Sequence, residues 1–346
     1  MYSLPSRDLE QLYTQYYALL KAIAYQMIGS HSDAEDIVHD VFEQLANKPL
    51  AEIEHVKAYL IRAVTNRSLN ILQSARKQRE LYPGPWLPEP VVSQIARPTR
   101  KASSHTEDTG GNEHGTERAG TSSSSLLPLA GTRATDLHFT SIYEYDAEQS
   151  LLQQEQIGYA VMVMLEQLNP VERAVFVLRE SFQLDYAEIA DYVNKTEVAC
   201  RKMLSRIHAR LQPIHKLQPV DNSSTLAFTE AFLEAARSGN FAPLLHQLRE
   251  DIQLYTDGGG KVRAALHPIR SRYRVTTFLQ GIAGKGAFAG EWSLISVNGT
   301  PGLQLQRDRA IVYVLTFAWD TDGQVQHVYM ISNPDKLAHI DATTSV

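Results

Sequence analysis

Nine consecutive residues limit what this chain can fold into more than any others: Tyr82-Pro83-Gly84-Pro85-Trp86-Leu87-Pro88-Glu89-Pro90. Four prolines in that stretch forbid a helix and keep the backbone extended or turned. Proline fixes its own φ, lacks an N–H and restricts the residue before it. Trp86 and Leu87 in an extended segment need a neighbouring surface to cover them, so the segment is expected to dock. It also divides the chain. Helices that pass from acidic to basic precede it, and a polar tract and a helix-turn-helix pattern follow.

Before the segment, residues 7 to 29 have Leu9, Leu12, Tyr16, Leu19, Leu20, Ile23 and Met27 at helical spacing, with Gly29 as the stop. Ser32 and Glu35 form a capping-box pattern for the next helix. Its apolar face is Ala34, Ile37, Val38, Val41, Phe42 and Leu45, and its other face carries Asp33, Asp36, Asp40 and Glu43. Such a face is either a solvated acidic surface or a dock for a basic partner. A third helix follows, and from Lys57 to Arg79 it has six Lys/Arg and no Asp or Glu. Ile61, Val64, Leu72 and Ala75 can face a core, while Tyr59, Arg62, Asn66, Asn70, Gln73 and Lys77 share another face. Cations for phosphate, an aromatic for stacking and amides for base edges suit nucleic acid. Surface helices usually mix charge signs, so a merely solubilising face accounts for this stripe less well.

The net charge of −6 does not oppose that reading, because phosphate binding needs only a local basic face. At 346 residues there is room for two or three domains. The single cysteine, Cys200, excludes a disulfide framework and suits a reducing cytoplasm. No run of about 18 apolar residues predicts a membrane span, and no signal peptide is expected.

Residues 93 to about 135 change in character. Lys101 to Ser125 has only Ala102 and Ala119 as apolar residues, too little to offset chain entropy, so a flexible tether is expected. His105 and His114 have no Cys near them, and no metal is assigned. A helix over roughly 146 to 167 is expected, then one opened by Asn169-Pro170. Tyr186 to Val193, a turn at Asn194-Lys195-Thr196, and Glu197 to Leu211 read as a helix-turn-helix. Cys200, Leu204, Ile207 and Leu211 face the core, and Arg201, Lys202, Ser205 and Arg206 face out, where they could read guanine edges and phosphates. Periodicity alone fits an ordinary three-helix bundle as well.

The order of these parts resembles extracytoplasmic-function sigma factors of the sigma-70 family, from about residue 7 to 215. The stretches that carry the resemblance are Gly29-Ser30-His31-Ser32-Asp33-Ala34-Glu35-Asp36, Tyr59-Leu60-Ile61-Arg62-Ala63-Val64-Thr65-Asn66-Arg67 and Leu168-Asn169-Pro170-Val171-Glu172-Arg173-Ala174-Val175-Phe176. Gly84-Pro85-Trp86-Leu87-Pro88-Glu89-Pro90 is similar to the linker marker of the subgroup with a C-terminal SnoaL-like domain, although the tether here is longer and more polar than in that pattern. The resemblance implies that Asp36, Asp40 and Glu43 dock on the β′ coiled coil of core RNA polymerase, whose β subunit is also a partner. It implies that Tyr59, Arg62, Asn66 and Asn70 open the −10 element, and that Arg201, Lys202, Ser205 and Arg206 read the −35 element of promoter DNA.

After Pro213 and Pro219 a new domain is expected. Leu226, Phe228, Phe232, Leu233 and Ala236 predict a helix ending near Gly239, and a short helix holds Leu244, Leu245 and Leu248. The rest reads as mostly strand-like. Ile311, Tyr313, Leu315, Phe317 and Trp319 share one face, and Asp257-Gly258-Gly259-Gly260-Lys261 is a turn. Helices followed by an antiparallel sheet suggest an α+β cone, which matches the SnoaL-like fold. The Asp257 to Lys261 turn and Asn333-Pro334-Asp335-Lys336-Leu337 resemble motifs of the same subgroup, where this domain is regulatory. Together with Trp86 and Leu87, the residues Asp257, Gly258, Gly259, Gly260, Lys261, Asn333, Pro334 and Asp335 are therefore candidates for a regulatory interface. Tyr255, Asp257, Asp320, His327 and Tyr329 are the residues that would line a catalytic pocket. A working site needs a carboxylate and a donor converging in an apolar cavity, and catalysis is not expected. Gly284-Lys285-Gly286 does not fit a phosphate loop.

The expected protein is multidomain: an all-α sigma region 2 bundle (1–80), a Pro-containing segment and linker (81–140), a region 4 helix-turn-helix (141–216) and a SnoaL-like domain (221–340). It is expected to act without a cofactor as a cytoplasmic sigma factor whose C-terminal domain modulates activity. The alternatives are a conventional helix-turn-helix regulator that senses a small molecule, and a SnoaL-like isomerase or hydrolase tethered to DNA.

Overall fold

The computed structural model describes residues 6–49, 53–80, 82–94, 158–211 and 222–340. The expected tether from residue 95 onward and the first part of the 146–167 helix lie outside them.

Three helices come first: α1 (Ser6–Ile28), α2 (His31–Ala46) and α3 (Val56–Glu80). Gly29 ends α1 at φ 72, a conformation that glycine adopts without strain. The chain turns so early that Ser30, not Ser32, caps α2, accepting from the Asp33 N–H at 3.2 Å. Glu35 is not part of a capping box, because Lys21 holds its carboxylate at 2.6 Å. The buried face of α2 is the expected one.

A second helical group follows: α4 (Tyr159–Leu165), α5 (Pro170–Phe176) running into a wider turn at Val177–Ser181, α6 (Tyr186–Tyr192) and α7 (Glu197–Leu211). Asn169 and Glu172 cap α5 reciprocally at 3.0 Å each. Asn194 makes the turn between α6 and α7 at φ 52, and the Lys195 N–H closes it on the Ala190 carbonyl at 2.9 Å. Cys200, Leu204, Ile207 and Leu211 are buried as expected. The apolar faces of both helical groups merge into one continuous core. Each fully buried aliphatic or aromatic side chain there contributes roughly 1.5–3 kcal/mol.

The last part packs α8 (Asn222–Ser238) and α9 (Arg272–Ala283) against one face of a seven-stranded sheet. The strands are β1 (Val92–Gln94), β2 (Leu248–Asp257), β3 (Ile269–Arg270), β4 (Glu291–Val297), β5 (Thr300–Arg307), β6 (Ala310–Trp319) and β7 (Val325–Ile331), in the order β1-β4-β5-β6-β7-β2-β3. Among the described residues, only β2 and β7 pair in parallel. A short α10 (Pro334–Leu337) ends the fold.

Four expectations change here. Ser93 and Gln94, placed in the linker, extend the sheet by pairing with Ser296 and Ile295 of β4. Leu244 and Leu245 lie in a 3-10 turn (Ala242–Gln247), and Leu248 already begins β2. In the mostly strand-like region after β2, a helix that the sequence pattern does not predict appears: α9 is capped by Ser271 and buries Val275, Thr276 and Leu279. A bulge opposite Leu305 and Gln306 then breaks the alternation in β6. Tyr313, Leu315, Phe317 and Trp319 face the helices, but Ile311 turns to the opposite face.

Candidate functional site

The acidic helix is less uniform than its sequence suggests. Asp36 and Glu43 are exposed. Asp40 is half-buried and ion-paired with Arg67 of α3, so only part of the acidic stripe is free for a partner.

On α3, Arg62, Asn66 and Asn70 are exposed and Tyr59 is half-buried. The Lys48 ammonium lies 4.9 Å from the centre of the Tyr59 ring. Arg62 does not stand alone: its guanidinium pairs with Asp191 of α6 at 2.9 Å. Lys48, His55, Tyr59, Arg62, Asp191 and Tyr192 line a cleft of about 360 Å³ between the two helical groups. Deeper in the same joint, Arg173 of α5 is buried, pairs with Glu166 and donates from Nε to the Gln26 carbonyl of α1 at 3.3 Å.

On α7, Arg201, Lys202, Ser205 and Arg206 are all exposed along one side of the helix. Arg201 is held in place by Glu197 at 2.9 Å, and its guanidinium lies 4.8 Å from the centre of the Tyr186 ring.

The Pro segment is sandwiched between the helical groups and the sheet. On one side Glu89 serves α2, taking the Ser30 hydroxyl at 3.1 Å and the His31 N–H at 2.6 Å, while its own N–H donates to the Gly29 carbonyl at 2.8 Å. A carboxylate at a helix N-terminus satisfies donors the helix leaves open and is favoured by the helix dipole. The Tyr25 hydroxyl donates to the Glu89 carbonyl at 2.7 Å, and the Tyr159 hydroxyl of α4 to the Pro88 carbonyl at 2.7 Å. Asn298, in the β4–β5 turn, donates to the Tyr25 hydroxyl at 3.0 Å and accepts from the Val91 N–H at 3.1 Å.

On the other side the organising group is Asp257, at the end of β2 and 1% exposed. One carboxylate oxygen accepts from the Tyr82 hydroxyl and from the Gly259 N–H at 3.0 Å. The other accepts from the Leu87 N–H at 2.9 Å and from the Lys336 ammonium at 2.8 Å. Burial and this carboxylate push the Tyr82 hydroxyl well above its usual range. Lys336 also donates to the Leu87 carbonyl, and its ammonium lies 3.9 Å from the centre of the Trp86 ring and 5.2 Å from that of Tyr82. Asn333 donates to the Tyr82 hydroxyl at 3.0 Å and caps α10 through the Asp335 N–H at 3.1 Å. Asp335 reaches Lys261 at 2.6 Å on the surface, and Pro334 is exposed. Two glycines of the turn are required by space. A Cβ at Gly258 would lie 2.1 Å from the Val262 carbonyl oxygen, and one at Gly259 2.4 Å from the Asn333 amide. Gly260 faces Pro83.

The candidates for the regulatory interface thus meet at one place. Sequence reasoning passed over Lys336, Tyr82, Glu89, Tyr25, Asn298, Asp191 and Arg173. Lys336 and Glu89 sat inside stretches already singled out, whereas nothing local marks Asn298 or Asp191.

The five residues considered for a catalytic pocket are not brought together as one set: Tyr255, His327 and Tyr329 meet, while Asp257 and Asp320 are each engaged in hydrogen bonds of their own. Asp320 accepts from the Asp322 and Gln324 N–H groups at 2.9 Å each and from Arg249 at 2.7 Å, holding the β6–β7 turn together. Tyr255, His327 and Tyr329 make ring contacts with one another, and Tyr255 and Tyr329 pack on the sheet face away from α8 and α9. The helix-facing interior is filled by Phe228, Phe232, Phe317 and Trp319, with the rings of Phe228 and Phe317 5.1 Å apart.

Comparison with known proteins agrees with this layout. Residues 12–78 match the family model for sigma-70 region 2, and residues 159–211 the model for sigma-70 region 4. The chain is 29% identical over 329 residues to the ECF RNA polymerase sigma factor SigJ of Mycobacterium tuberculosis, spanning 92% of this chain and 89% of that one. It is 25% identical over 231 residues to the probable ECF RNA polymerase sigma factor SigI of the same organism, spanning 67% of this chain and 63% of that one. The crystal structure of M. tuberculosis SigJ has the same fold, with a TM-score of 0.64 over 95% of this chain and 98% of that one at 24% identity. With both regions in order and a C-terminal α+β domain as in that fold, the chain carries sigma-70 regions 2 and 4 and is similar over most of its length to extracytoplasmic-function sigma factors, so it acts as a sigma factor that binds core RNA polymerase and promoter DNA to direct the start of transcription.

Proposed function

We propose that the C-terminal domain of this sigma factor sets its activity by holding the Pro segment through Asp257. One observation carries the reading: a single buried carboxylate binds Tyr82 and Leu87 on one side and Lys336 on the other. The state of the last helical turn is thereby linked to the strap that caps α2. In the cytoplasm, the exposed Asp36 and Glu43, with Asp40 beside them, dock on the β′ coiled coil, and the β subunit completes the polymerase contact. Tyr59, Arg62, Asn66 and Asn70 meet the −10 element. Arg201, Lys202, Ser205 and Arg206 read the −35 element. Holding both readers on one polymerase makes the second contact effectively intramolecular and supplies promoter affinity.

The test is reconstituted transcription with core polymerase at matched protein levels. Truncation before Asn333 removes Lys336 and the α10 cap and should raise transcription by releasing the strap. Truncation at Lys216 removes the whole domain and should lower it. Equal transcription from the full chain and both truncations would make the domain a passenger and end this reading.

A further inference from the structure

The second helix of the helix-turn-helix carries one large apolar side chain that its own fold leaves in water. Val198 sits in the first turn of α7 and is 61% exposed. Spacings of three and four residues put it on the same face as Arg201 and Lys202, and Ser205 continues the stripe. Valine is a poor choice for an exposed helical position, since its branched Cβ costs side-chain freedom with no packing in return. The same stiffness makes it a shape-selective contact, because one rotamer dominates in a helix. The cations beside it are placed for DNA. Arg201 is steadied by Glu197 and the Tyr186 ring, and Lys202 and Arg206 are exposed to meet phosphates. Residues in the N-terminal part of a recognition helix are the ones that reach base edges in the major groove. There thymine alone among the four bases presents a methyl group, and apolar side chains read it by contact.

We propose that Val198 determines −35 specificity by packing its isopropyl group against the 5-methyl of a thymine. This rests on the −35 role of α7 proposed above. Val198 adds an apolar reading to a surface otherwise made of hydrogen-bond donors, and it favours thymine over cytosine at one base pair. Removing the methyl group alone should cost about fourfold in affinity, the worth of one buried carbon.

The experiment uses holoenzyme assembled from the full chain and core polymerase. A promoter is first selected by that holoenzyme from a library randomised at −35. Each −35 thymine, on either strand, is then replaced singly by uracil, which pairs identically and lacks only the methyl. Expected is one position at which uracil weakens binding by wild-type holoenzyme about fourfold. Val198→Ala should bind the thymine promoter with a similar loss and show no further loss on the uracil one. The uracil arm needs no protein variant, so it stands whether or not the variant folds. A selected −35 element without thymine, uracil replacements that are all neutral, or an undiminished uracil penalty in Val198→Ala would each overturn the inference. If whole base-pair changes at −35 still weaken binding in that case, the −35 role of α7 survives without Val198. If they do not, that role falls with it.

Discussion

At the scale of single residues, the Asp257–Lys336 pair decides most. Both side chains are buried, and removing one partner of a buried pair leaves the other charge poorly compensated. Lys336→Met should therefore destabilise the protein by about 3–5 kcal/mol, with the lower end favoured because Asp257 keeps Tyr82 and two backbone amides as donors. The double variant Asp257→Asn with Lys336→Met should lose less than the sum of the singles in urea unfolding. Strict additivity would mean that the two side chains do not act together. Two histidines bear on pH. Burial pushes His31 down to about 4, helped by Lys21 nearby, and burial pushes His327 down to about 4 as well. Well above pH 6.5 both are neutral in the folded and unfolded chain and contribute no pH dependence. As pH falls from 6.5 toward 4, the unfolded chain takes up protons that the folded chain refuses, so stability falls. His31→Gln with His327→Gln should flatten urea midpoints measured across that window. An unchanged slope would show that these rings are not the buried bases involved.

At the scale of elements, α2 shows how a periodic pattern can be right about a face and incomplete about its charges. The polymerase contact is best tested at Asp36 and Glu43, which are free of the Arg67 pairing that engages Asp40. Asp36→Lys with Glu43→Lys should keep the thermal midpoint and weaken core polymerase binding on the order of tenfold, 1.4 kcal/mol, measured by fluorescence anisotropy. Undiminished affinity would take the helix out of the polymerase interface. Asp40→Lys, by contrast, puts a cation against Arg67 and should lower stability as well. The faces of α2 and α7 were legible because capping residues and a 3.6-residue apolar repeat are local properties. The face of Ile311 was not, because it depends on a bulge against a neighbouring strand. Helix α9 was missed because its buried positions, Val275, Thr276 and Leu279, form a short and partly polar stripe. The candidate site was legible as three separate phrases around Trp86, Asp257 and Asn333. Their meeting at one carboxylate depends on long-range folding that no local pattern encodes.

At the scale of the whole molecule, the joint between the two helical groups sets what one conformation can do. Elements named −10 and −35 lie about 25 base pairs apart, roughly 85 Å of duplex at 3.4 Å per pair. Arg62, assigned to the first, touches Asp191 of α6, immediately before the helix assigned to the second. Helix α7, with 15 residues, is only about 22 Å long, so it cannot bridge that span from where it sits. Residues 95–157 join the two groups, and at 3.3–3.6 Å each they can reach about 200 Å. Lys48 and Ala209 are both exposed, one on each helical group. Dyes placed at Lys48→Cys and Ala209→Cys should therefore move apart on promoter binding, read as a loss of energy transfer. Constant transfer would mean that one helical group does not contact its assigned element. The buried Arg173, lodged between Glu166 and the Gln26 carbonyl, then takes on a meaning in populations. If promoter binding parts this joint, as the dye experiment tests, measured promoter affinity is the intrinsic affinity scaled by the fraction of molecules in which the joint is already parted. A substitution at the joint, touching no nucleotide, can thus retune every promoter the factor serves by the same factor and leave their ranking unchanged.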